Sequence, residues 1–590
     1  MWTKIAFNAT QTIAFPYIQN LFIGSTYKLP VESLKIAVAA EISKHLKEVP
    51  ATMVKDVPHD IPGDFAFPCF SHAKAAGKKP QEIAEKLAKE MRSEIFEKVE
   101  AKDGFVNFFI DCGKAANTLM PEIASQKDSY GRGEKKRKIT IEHTSANPNS
   151  PLHVGHIRNS ILGDTMASIL KFAGYDAKPQ FFINDMGGQL AILATYLKSI
   201  DYEEELKKSK KKPDAWLGDM YVAANKEVNK DVAKALQMNY ERGGKEIRKI
   251  FDFMVETAVG GFKKTFKDFG ITMDDYVRES EFVFGGAVKD VLDKLQKTPY
   301  WFEEGGMYAV NLEKYGIKKE LVLLRSDGTT LYTTRDLAYH LWKLKSADCI
   351  NVIANEQTLQ QQQLRAGLDL LGVADVEKRV RHLSYELVTI PGMRMSSRTG
   401  EFISADDLLK EGIERAKDEI EGRNIEVPES EKDIIAKAVA VGAIRFNMVK
   451  ITPLKPIEFK WEDALNFEGE SAPYLQYSHA RACRILEKAK GAKDKVDYSK
   501  VELTNEEKKL ILLLAEFPQV IQSSASDLKP NTVANYLFTL AEAFNRFYFK
   551  CPVIDSPEPL KSARIGLVKS FKQVVGTGLR VLGIEALERM

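Results

Sequence analysis

The sequence lacks the long apolar runs of a membrane protein, because polar or charged residues interrupt each hydrophobic stretch before about 18 residues accumulate. The opening residues Met1–Lys4 also lack the charged and then apolar pattern of a secretory signal. We therefore expect a cytoplasmic protein with no membrane partner.

Cysteine is scarce in this chain of 590 residues, and no two cysteines form a Cys-x-x-Cys pair. A zinc ribbon or a thioredoxin-type site is therefore not expected. We predict no metal site, and buried thiols in a reducing compartment. The five cysteines are Cys69, Cys112, Cys349, Cys483 and Cys551.

An excess of charge of one sign is also missing, since 85 Lys and Arg against 82 Asp and Glu leave a formal net charge of +3. This balance neither supports nor excludes a nucleic-acid partner, because a large protein can confine its basic residues to one face. The hydrophobic fraction of 44% and the charged fraction of 28% exclude wholesale disorder and a collagen-like chain. The length predicts about three to five domains.

Local patterns separate the two ends of the chain. Near the amino terminus, Lys79-Pro80 begins an amphipathic helix, because proline is tolerated in a first helical turn. A turn at Asp103-Gly104 then precedes a strand that ends near Ile110, which indicates a small α+β module. Beyond about residue 405 the pattern is helical almost throughout. An apolar stripe after Pro530 is interpreted as the core of a helix bundle.

The central part alternates strand, loop, helix and strand. Lys138–His143 alternates as a strand does, Ile157–Ile169 has helical spacing, and Ala177–Ile183 is a second strand. This order predicts a parallel sheet with a ligand at the strand ends. A charged helical stretch at about 190–270, which contains a lysine run at 207–212, is predicted to be an insertion into that domain.

Two histidines, His153 and His156, lie three residues apart at the predicted start of a helix, with Gly155 between them. A helix N-terminus attracts phosphate through its free N–H groups and its dipole, and imidazoles add further donors. Gly155 would let a flat base lie against the backbone. The pattern suits attack on the α-phosphate of ATP, which needs positioning and charge stabilisation but no protein nucleophile. Alone, the spacing also fits a metal pair or two surface histidines.

A second loop, Gly392–Gly400, is flanked by glycines and contains serines and two arginines. Such a loop is suited to closing over a triphosphate, and its place after the second half of the predicted sheet fits a phosphate clamp. On its own, the string would also fit a solvated basic turn.

These motifs resemble those of class I aminoacyl-tRNA synthetases, and specifically of arginyl-tRNA synthetases of the archaeal or eukaryotic kind. His153–His156 resembles the HIGH signature, and Arg394–Arg398 resembles the KMSKS loop. The resemblance spans nearly the whole chain, with its blocks in the family order. Four further blocks carry it: Glu142–Pro148, Ser326–Tyr339, Ala472–Arg481 and Leu582–Met590.

The resemblance implies an N-terminal tRNA-binding domain at 1–115, a Rossmann-like parallel-sheet catalytic domain at 116–405 and a helical anticodon-binding domain at 406–590. It implies that L-arginine and ATP, which enters with Mg²⁺, give arginyl-adenylate and pyrophosphate. The arginyl group then passes to the terminal adenosine of tRNA(Arg), and in this family the tRNA is generally needed even for the first step. No zinc is expected, and a monomer is the family default.

The resemblance also implies the residues of the site. A planar guanidinium is met by carboxylates in fork geometry, and Tyr332 lies on the same helix face as Asp336, four residues later. Any one of the acids could instead form a surface salt bridge, and Phe105 could belong to the core. The catalytic and ATP-binding set is His153, Gly155, His156, Lys138, Arg394, Met395, Ser396, Ser397 and Arg398. The arginine-binding set is Glu142, Ser145, Asn147, His156, Glu279, Tyr332, Asp336 and Gln357. The tRNA-binding set is Phe105, Asn107, Tyr474, Gln476 and Met590.

One departure from the family pattern concerns the clamp loop. Arg394 replaces the first lysine of the KMSKS signature and Ser397 replaces the second. A lysine on the strand before the histidines can take over the second role, and Lys138 is the candidate, although its basic neighbours 135–137 also fit a solvated face. The lysine run at 207–212 has the same two interpretations, contact with tRNA phosphates or a solvated face.

Three other functions compete with an arginine–tRNA ligase. A class I synthetase for cysteine or glutamate would not need three acids in its amino-acid pocket. A small nucleotidyltransferase shares the histidine loop but would not need the long helical carboxyl-terminal part. A catalytically silent RNA-binding paralogue would be indicated by loss of His153, His156 or the clamp loop, and all three are present.

Overall fold

The computed structural model describes residues 31–47, 49–57, 62–391, 402–423, 428–489 and 496–590. The predicted clamp loop at Gly392–Gly400 therefore lies outside the described residues. The chain divides into two compact units. The first holds the described residues of Met1–Gly131, Ser478–Gln522 and Thr539–Thr577, and the second those of Arg132–Tyr477, Ser523–Phe538 and Gly578–Met590.

The amino-terminal part of the first unit contains a four-stranded antiparallel sheet in the order β1-β2-β4-β3. Its strands are β1 Lys55–Asp56, β2 Phe65–Pro68, β3 Phe96–Lys102 and β4 Phe105–Ile110. Asp103 and Gly104 join β3 to β4 with φ of 54° and 79°, as a two-residue hairpin turn with a positive φ at both residues requires. The predicted turn and strand are confirmed.

Helices cover this sheet. The helix predicted to begin at Pro80 is present, and it buries Ile83, Ala84 and Leu87 while proline occupies its first turn. The next helix begins after Asp111, whose side chain accepts a hydrogen bond from the Lys114 backbone N–H at 3.0 Å. The helices of this part are α1 Val31–Ser43, α2 Phe70–Ala76, α3 Pro80–Glu90 and α4 Cys112–Gln126.

The second unit is built on a five-stranded sheet in the order β12-β11-β5-β6-β7, in which every neighbouring pair is parallel. From β5 the chain moves to one side through β6 and β7, and later to the other side through β11 and β12. Ligands bind at such a switch point, outside the carboxyl ends of the strands. The strands of this unit are β5 Lys138–Glu142, β6 Asp176–Ile183, β7 Asp275–Arg278, β8 Trp301–Glu304, β9 Met307–Val310, β10 Leu321–Leu324, β11 Asp348–Ala354, β12 Val380–Tyr385, β13 Val388–Thr389 and β14 Ile457–Glu458.

The predicted order of strand, loop, helix and strand is confirmed at β5, the following helix and β6. After Lys138, the residues of β5 are buried without alternation, as in a sheet with both faces covered. The helices of this unit are α5 Val154–Phe172, α6 Gly188–Leu197, α7 Tyr202–Ser209, α8 Pro213–Glu227, α9 Lys230–Glu241, α10 Lys245–Phe269, α11 Glu279–Phe284, α12 Ala287–Leu295, α13 Tyr332–Lys343, α14 Thr358–Leu370, α15 Val376–Arg379, α16 Ala405–Gly422, α17 Lys432–Lys450 and α18 Trp461–Ala464.

The helices α6–α10 lie between β6 and β7, so the predicted helical insertion is present. Its core includes Tyr240 stacked on Phe251, with ring centroids 3.8 Å apart. The lysine run is not a uniform solvated face. Lys212 Nζ lies 2.7 Å from Asp406 and 3.2 Å from the buried Asp214, and Lys211 pairs with Asp219 at 2.6 Å.

A three-stranded antiparallel sheet, β10-β9-β8, is inserted between β7 and α13. Val310, Leu321 and Leu323 from this sheet share a buried cluster with Leu337 of α13. The amino end of α13, which carries Tyr332 and Asp336, is therefore anchored by apolar contacts.

The carboxyl-terminal part is helical, as predicted. The apolar stripe after Pro530 is core, because Val533, Leu537, Leu540, Phe544 and Phe547 are all fully buried. The helices are α19 Ala472–Lys488, α20 Asn505–Asp527, α21 Asn531–Lys550 and α22 Leu560–Val581.

All five cysteines lie among the described residues, and each is a buried free thiol, as predicted. Within the described ranges, no helix combines the length and the apolar character needed to cross a membrane.

Candidate active site

The loop between β5 and α5 has a strained start. Thr144 and Ser145 have φ of 83° and 46°, a region that residues other than glycine seldom occupy. Two side chains of α5 hold this conformation: Asn159 accepts from the Thr144 backbone N–H, and Ser160 Oγ lies 2.9 Å from Thr144 Oγ1. Strain of this kind is typical of ligand-binding positions, and it leaves the Ser145 side chain exposed at the carboxyl end of β5.

His153 and His156 cap the first turn of α5 reciprocally. His153 Nδ1 accepts from the backbone N–H of Gly155 at 3.1 Å and of His156 at 3.4 Å, and His156 Nδ1 accepts from the His153 N–H at 3.4 Å. The two rings stack with centroids 3.7 Å apart. Because both Nδ1 atoms accept, each neutral ring carries its proton on Nε2. The cap therefore fixes the tautomer that offers Nε2–H donors to an anion.

Burial keeps both rings neutral. It lowers the pKa of His153 to about 4 and the pKa of His156 well below the usual value, with the neighbouring imidazole contributing to the second shift. At neutral pH the pair can therefore act on an anion through hydrogen bonds but not through fixed positive charge.

Gly155 packs closely against this stack. A Cβ built on Gly155 would lie 3.0 Å from Cε1 and 3.2 Å from Nδ1 of His153, so any side chain would press on the ring. A side chain at position 155 would therefore displace the His153 ring as well as cover the backbone predicted to receive a flat base.

The chain that follows the predicted clamp returns to the histidines. Ser404 forms a backbone bridge with His153, the Ala405 N–H donates to the Leu152 carbonyl at 2.7 Å, and the Phe402 ring lies 6.0 Å from the His153 ring. The predicted clamp residues Arg394, Met395, Ser396, Ser397 and Arg398 lie outside the described residues.

The three predicted acids lie at or beside the carboxyl ends of the parallel strands, and each is bonded to a side chain of α13. Glu142 ends β5, and its Oε2 lies 2.6 Å from Lys343 Nζ, with both side chains buried. Glu279 directly follows β7, and Asp336 is carried by α13 itself. The acids expected to bind a substrate cation therefore already interact with side chains of the protein itself.

Glu279 is the most enclosed of the three. Its Oε1 accepts from Arg335 Nε at 2.6 Å. Asn184, in the amide orientation that satisfies both of its polar groups, donates to Oε2 at 2.8 Å. Burial raises the pKa of Glu279 to about 7, although the charge of Arg335 acts in the opposite direction.

Asp336 and Tyr332 are more open. They lie one turn apart on α13, as predicted, with the Tyr332 side chain 48% exposed and the Asp336 side chain 28% exposed. Asp336 Oδ1 lies 2.9 Å from His340 Nδ1. Of the predicted acids, Asp336 thus has the carboxylate most available to a cation from solution.

The predicted polar residues around the substrate's ammonium and carboxylate groups are exposed. Ser145 and Asn147 lie in the loop after β5, and Gln357 lies in a helical turn after β11. Asn147 Nδ2 donates to Gln189 of α6 at 3.1 Å, as does Asn149. The structure therefore brings these residues to the same edge of the sheet as the histidines and the acids.

Lys138 lies at the other edge. It is the first residue of β5 and is exposed, four residues before Glu142, which places it about 13 Å away along the strand. That end of the sheet faces away from the ligand edge. The structure therefore does not support Lys138 as the replacement for the missing lysine of the clamp loop.

Two of the predicted tRNA-binding residues are buried in the second unit. Gln476 Nε2 donates to the carbonyls of Ala438 at 3.3 Å and Glu585 at 3.0 Å, so it bonds to helix and chain-end backbone. Met590 is buried as well, whereas Tyr474 is half-buried beside Phe538. The structure thus does not support tRNA contacts by the Gln476 and Met590 side chains.

In the first unit, Phe105 is half-buried and packs edge-on against Phe70, whose ring is exposed, with centroids 5.1 Å apart. Asn107 is buried, and its Oδ1 has no hydrogen-bond partner among the described residues. Phe105 therefore belongs to an aromatic pair that is open at one end.

Several residues of the site were not predicted. Asp185 follows β6 and holds Ser280 through two hydrogen bonds, to its N–H at 2.9 Å and its hydroxyl at 2.6 Å. A polar pair directly after an apolar strand, here Asn184 and Asp185, was the available signal. Arg335 and Lys343 gave no such signal, because they lie 56 and 201 residues from the acids to which they bond, Glu279 and Glu142. His340, one turn after Asp336, and Asn351, which bonds to Lys343, were also not predicted. Among the described residues, no three or more His, Cys, Asp or Glu side chains are grouped so that they could hold a metal ion.

Comparison with known proteins agrees with this architecture. The family model described as "tRNA synthetases class I (R), catalytic domain" matches residues 119–461. The "DALR anticodon binding domain" model matches residues 475–590, and the "Arginyl tRNA synthetase N terminal domain" model matches residues 32–110. The parallel sheet with paired histidines at its switch point and the helical carboxyl-terminal domain define a class I aminoacyl-tRNA synthetase.

Individual relatives show which member of this class the chain resembles. The arginine–tRNA ligase of Methanocaldococcus jannaschii is 41% identical over 95% of this chain and 99% of its own length. The arginyl-tRNA synthetase of Thermus thermophilus superposes with a TM-score of 0.80 at 31% identity, covering 95% of this chain and 99% of that one. The enzyme from Plasmodium falciparum shares the fold, with a TM-score of 0.79 at 19% identity, covering 96% and 100%. The chain belongs to the arginyl-tRNA synthetase family, and the predicted resemblance is confirmed.

Proposed function

We propose that this chain acts as an arginine–tRNA ligase that activates L-arginine with ATP at the carboxyl edge of the sheet β12-β11-β5-β6-β7. The arginyl group then passes from arginyl-adenylate to the 3′ end of tRNA(Arg). One observation carries the assignment of the site: two neutral histidines with fixed Nε2–H donors and three carboxylates lie at the same strand ends.

In this proposal ATP, as its Mg²⁺ complex, places its α-phosphate at the N-terminus of α5. His153 and His156 donate from Nε2 to the oxygens that gain charge when the arginine carboxylate attacks. The backbone at Gly155 receives the flat adenine base. The clamp loop, with Arg394, Met395, Ser396, Ser397 and Arg398, is assigned to the β- and γ-phosphates, and the packing of Ser404 and Phe402 beside His153 supports that assignment.

The arginine substrate would lie between the acids and the loop after β5. Asp336, supported by Tyr332, is proposed to pair with the guanidinium, because its carboxylate is the most exposed of the three. Glu142 and Glu279, which are paired with Lys343 and Arg335, hold the surrounding side chains in place. Ser145, Asn147 and Gln357 are proposed to bind the ammonium and carboxylate groups.

For tRNA, the aromatic pair Phe105 and Phe70 offers a stacking surface for an unpaired base, with Asn107 beside it. In the part of the chain that matches the anticodon-binding family, Phe549 is 88% exposed and lies next to the partly exposed Tyr548. An aromatic surface of this size in solvent fits base stacking better than core packing. Tyr474, which is half-buried, remains a candidate contact.

We further propose that adenylate formation requires tRNA, that the enzyme works in the cytoplasm, and that it is a monomer. Pyrophosphate–ATP exchange with L-arginine, run with and without tRNA(Arg), tests the first point. Exchange of equal rate without tRNA would refute it. Sedimentation at micromolar concentration tests the monomer.

The role of the histidine pair is tested by single-turnover adenylate formation. His156→Ala is expected to lose at least about 10²-fold in rate, because a preorganised donor to the phosphate is removed. His382→Ala is the matched control, because His382 bonds to the Ile353 carbonyl on the same sheet and takes no part in the cap. An unchanged rate in His156→Ala would remove the histidine from the reaction.

A further inference from the structure

His340 joins two of the proposed substrate acids through a buried chain of hydrogen bonds. It lies on α13 one turn after Asp336 and is 1% exposed. Its Nδ1 lies 2.9 Å from Asp336 Oδ1 and 2.9 Å from the Asp336 backbone carbonyl. Both of these atoms are acceptors, so Nδ1 must carry the proton and donate.

The other ring nitrogen meets a side chain on the neighbouring strand. Asn351 of β11 is fully buried, and its Nδ2 lies 2.9 Å from His340 Nε2 and 2.9 Å from Gln361 Oε1. Its Oδ1 accepts from Lys343 Nζ at 3.3 Å, and it also lies 3.2 Å from His340 Nε2, which cannot donate to it because the ring proton is on Nδ1. In this orientation every polar group of the Asn351 amide has a partner of the right kind.

The opposite orientation of the amide would be unfavourable. Turning Asn351 over would aim its Nδ2 at the Lys343 ammonium, so two donors would face each other, and its Oδ1 at the Gln361 carbonyl oxygen. Lys343 is itself fixed, because its Nζ lies 2.6 Å from Glu142 Oε2 and 4.1 Å from the centre of the Tyr339 ring. The buried ion pair thus determines which way Asn351 points.

The hydrogen bonds therefore run in one direction. Lys343 donates to Glu142 and to Asn351, Asn351 donates to His340 Nε2, and His340 Nδ1–H donates to Asp336. Buried chains of this kind are cooperative, and each member restricts the next. The chain connects the acid at the end of β5 with the acid on α13.

We propose that His340 is a positioning residue for arginine recognition, which holds the Asp336 carboxylate in the orientation that meets the guanidinium, with its own tautomer set by Asn351. This inference rests on the proposed function, because it requires Asp336 to bind the substrate. Without the Nδ1–H donor, the carboxylate of Asp336 would be free to rotate about its side-chain bonds. Arginine binding would then have to order this carboxylate, which would weaken the affinity for arginine.

Two conservative variants separate this role from a structural one. In His340→Asn, the amide nitrogen lies near the position of Nδ1 and can still donate to Asp336. In His340→Gln, the longer side chain brings its amide near the position of Nε2, so the contact with Asn351 is kept and the contact with Asp336 is lost. The variants therefore break opposite ends of the same chain of hydrogen bonds.

The experiment measures steady-state aminoacylation of tRNA(Arg), with KM for arginine, KM for ATP and kcat determined separately. We expect His340→Gln to raise the KM for arginine about 10-fold, with kcat and the KM for ATP within about twofold. His340→Asn should restore the KM for arginine to within about threefold of the unmodified enzyme. His382→Gln is the matched control and should change none of these values.

Thermal unfolding of each variant is measured alongside. The proposal would be overturned if His340→Asn and His340→Gln had equal KM values for arginine. It would also be overturned if His340→Gln lowered kcat and raised the KM for ATP as much as it raised the KM for arginine. Asp336→Asn separates it from the proposed function. If Asp336→Asn leaves the KM for arginine unchanged, the pocket assignment fails; if it raises that KM and His340→Gln does not, only the positioning role fails. The double variant Asp336→Asn with His340→Gln should have a KM for arginine no higher than that of Asp336→Asn alone.

Discussion

Replacement of Asp336 by asparagine tests the substrate pocket at its most exposed acid. The variant keeps the size of the side chain, and its Oδ1 can still accept from His340 Nδ1–H. What it removes is the negative charge that would pair with the guanidinium. A hydrogen bond to a charged group contributes about 1.5–3 kcal/mol, and breaking a fully buried pair costs about 3–5 kcal/mol.

The magnitude follows from the exposure of the side chain. Because Asp336 is 28% exposed, solvent screens part of the interaction, and the lower part of that range applies. A loss of about 2–3 kcal/mol corresponds to roughly 30–150-fold in kcat/KM for arginine, since each 1.36 kcal/mol is tenfold. The KM for ATP should change less than about twofold, because the histidine loop is untouched.

The assay is aminoacylation of tRNA(Arg) at saturating ATP with arginine varied. Asp348→Asn is a matched control, because Asp348 is an acid of the same sheet that begins β11 at the opposite edge and pairs with Arg137 at 2.9 Å and Arg379 at 3.0 Å. It should leave the KM for arginine unchanged. A KM for arginine in Asp336→Asn within twofold of the unmodified value would refute the pocket.

Three further predictions concern stability and tRNA. Arg445→Met should lower the free energy of unfolding by about 3–5 kcal/mol in guanidinium titrations, because buried Asp164 would lose its cation; a loss below about 1 kcal/mol would contradict the importance of this pair. Burial lowers the pKa of His143 to about 4 from 6.5, so its contribution to stability is present above pH 6.5 and is lost as the pH falls toward 4. Between pH 6.5 and pH 4 the free energy of unfolding should therefore fall by about 3 kcal/mol less in His143→Gln than in the unmodified protein. An equal fall in both proteins would argue against a neutral buried histidine. Phe105→Ala should raise the KM for tRNA about 10-fold without changing the KM for arginine, and a KM for tRNA that stays the same would place Phe105 in the core only.

Local features of the site were predictable because they depend on short stretches of sequence. The strand before the histidines, the helix after them and the hairpin at Asp103-Gly104 all follow from side-chain periodicity and from residues that tolerate positive φ. The placement of Tyr332 and Asp336 on one helix face depends only on their spacing.

Pairing between distant residues was not predictable in the same way. Glu142 and Lys343 are 201 residues apart, and nothing in the local pattern of either indicates that they form a buried pair. Glu142 and Glu279 were predicted as substrate ligands, yet each also bonds to a cation of α13, because a buried carboxylate must be paired or hydrogen-bonded.

The less successful assignments have a common cause. Lys138 lies on the expected strand, but the direction of β5 puts its first residue at the edge away from the ligand. Gln476 lies within a recognised sequence block, but tertiary packing buries it against the Ala438 and Glu585 carbonyls. A motif locates a segment, whereas the end of a strand or the face of a helix that meets a ligand depends on the assembled fold.

The most direct test of the central claim compares L-arginine with L-citrulline in pyrophosphate–ATP exchange by the unmodified enzyme, in the presence of tRNA(Arg). Citrulline has nearly the same shape but carries an uncharged ureido group in place of the guanidinium. If carboxylates at the sheet edge recognise the cation, exchange with arginine should exceed exchange with citrulline by at least about 10²-fold in kcat/KM, since a site built for charged hydrogen bonds rejects the uncharged analogue. Comparable exchange with the two amino acids would contradict the assignment of these acids to the substrate.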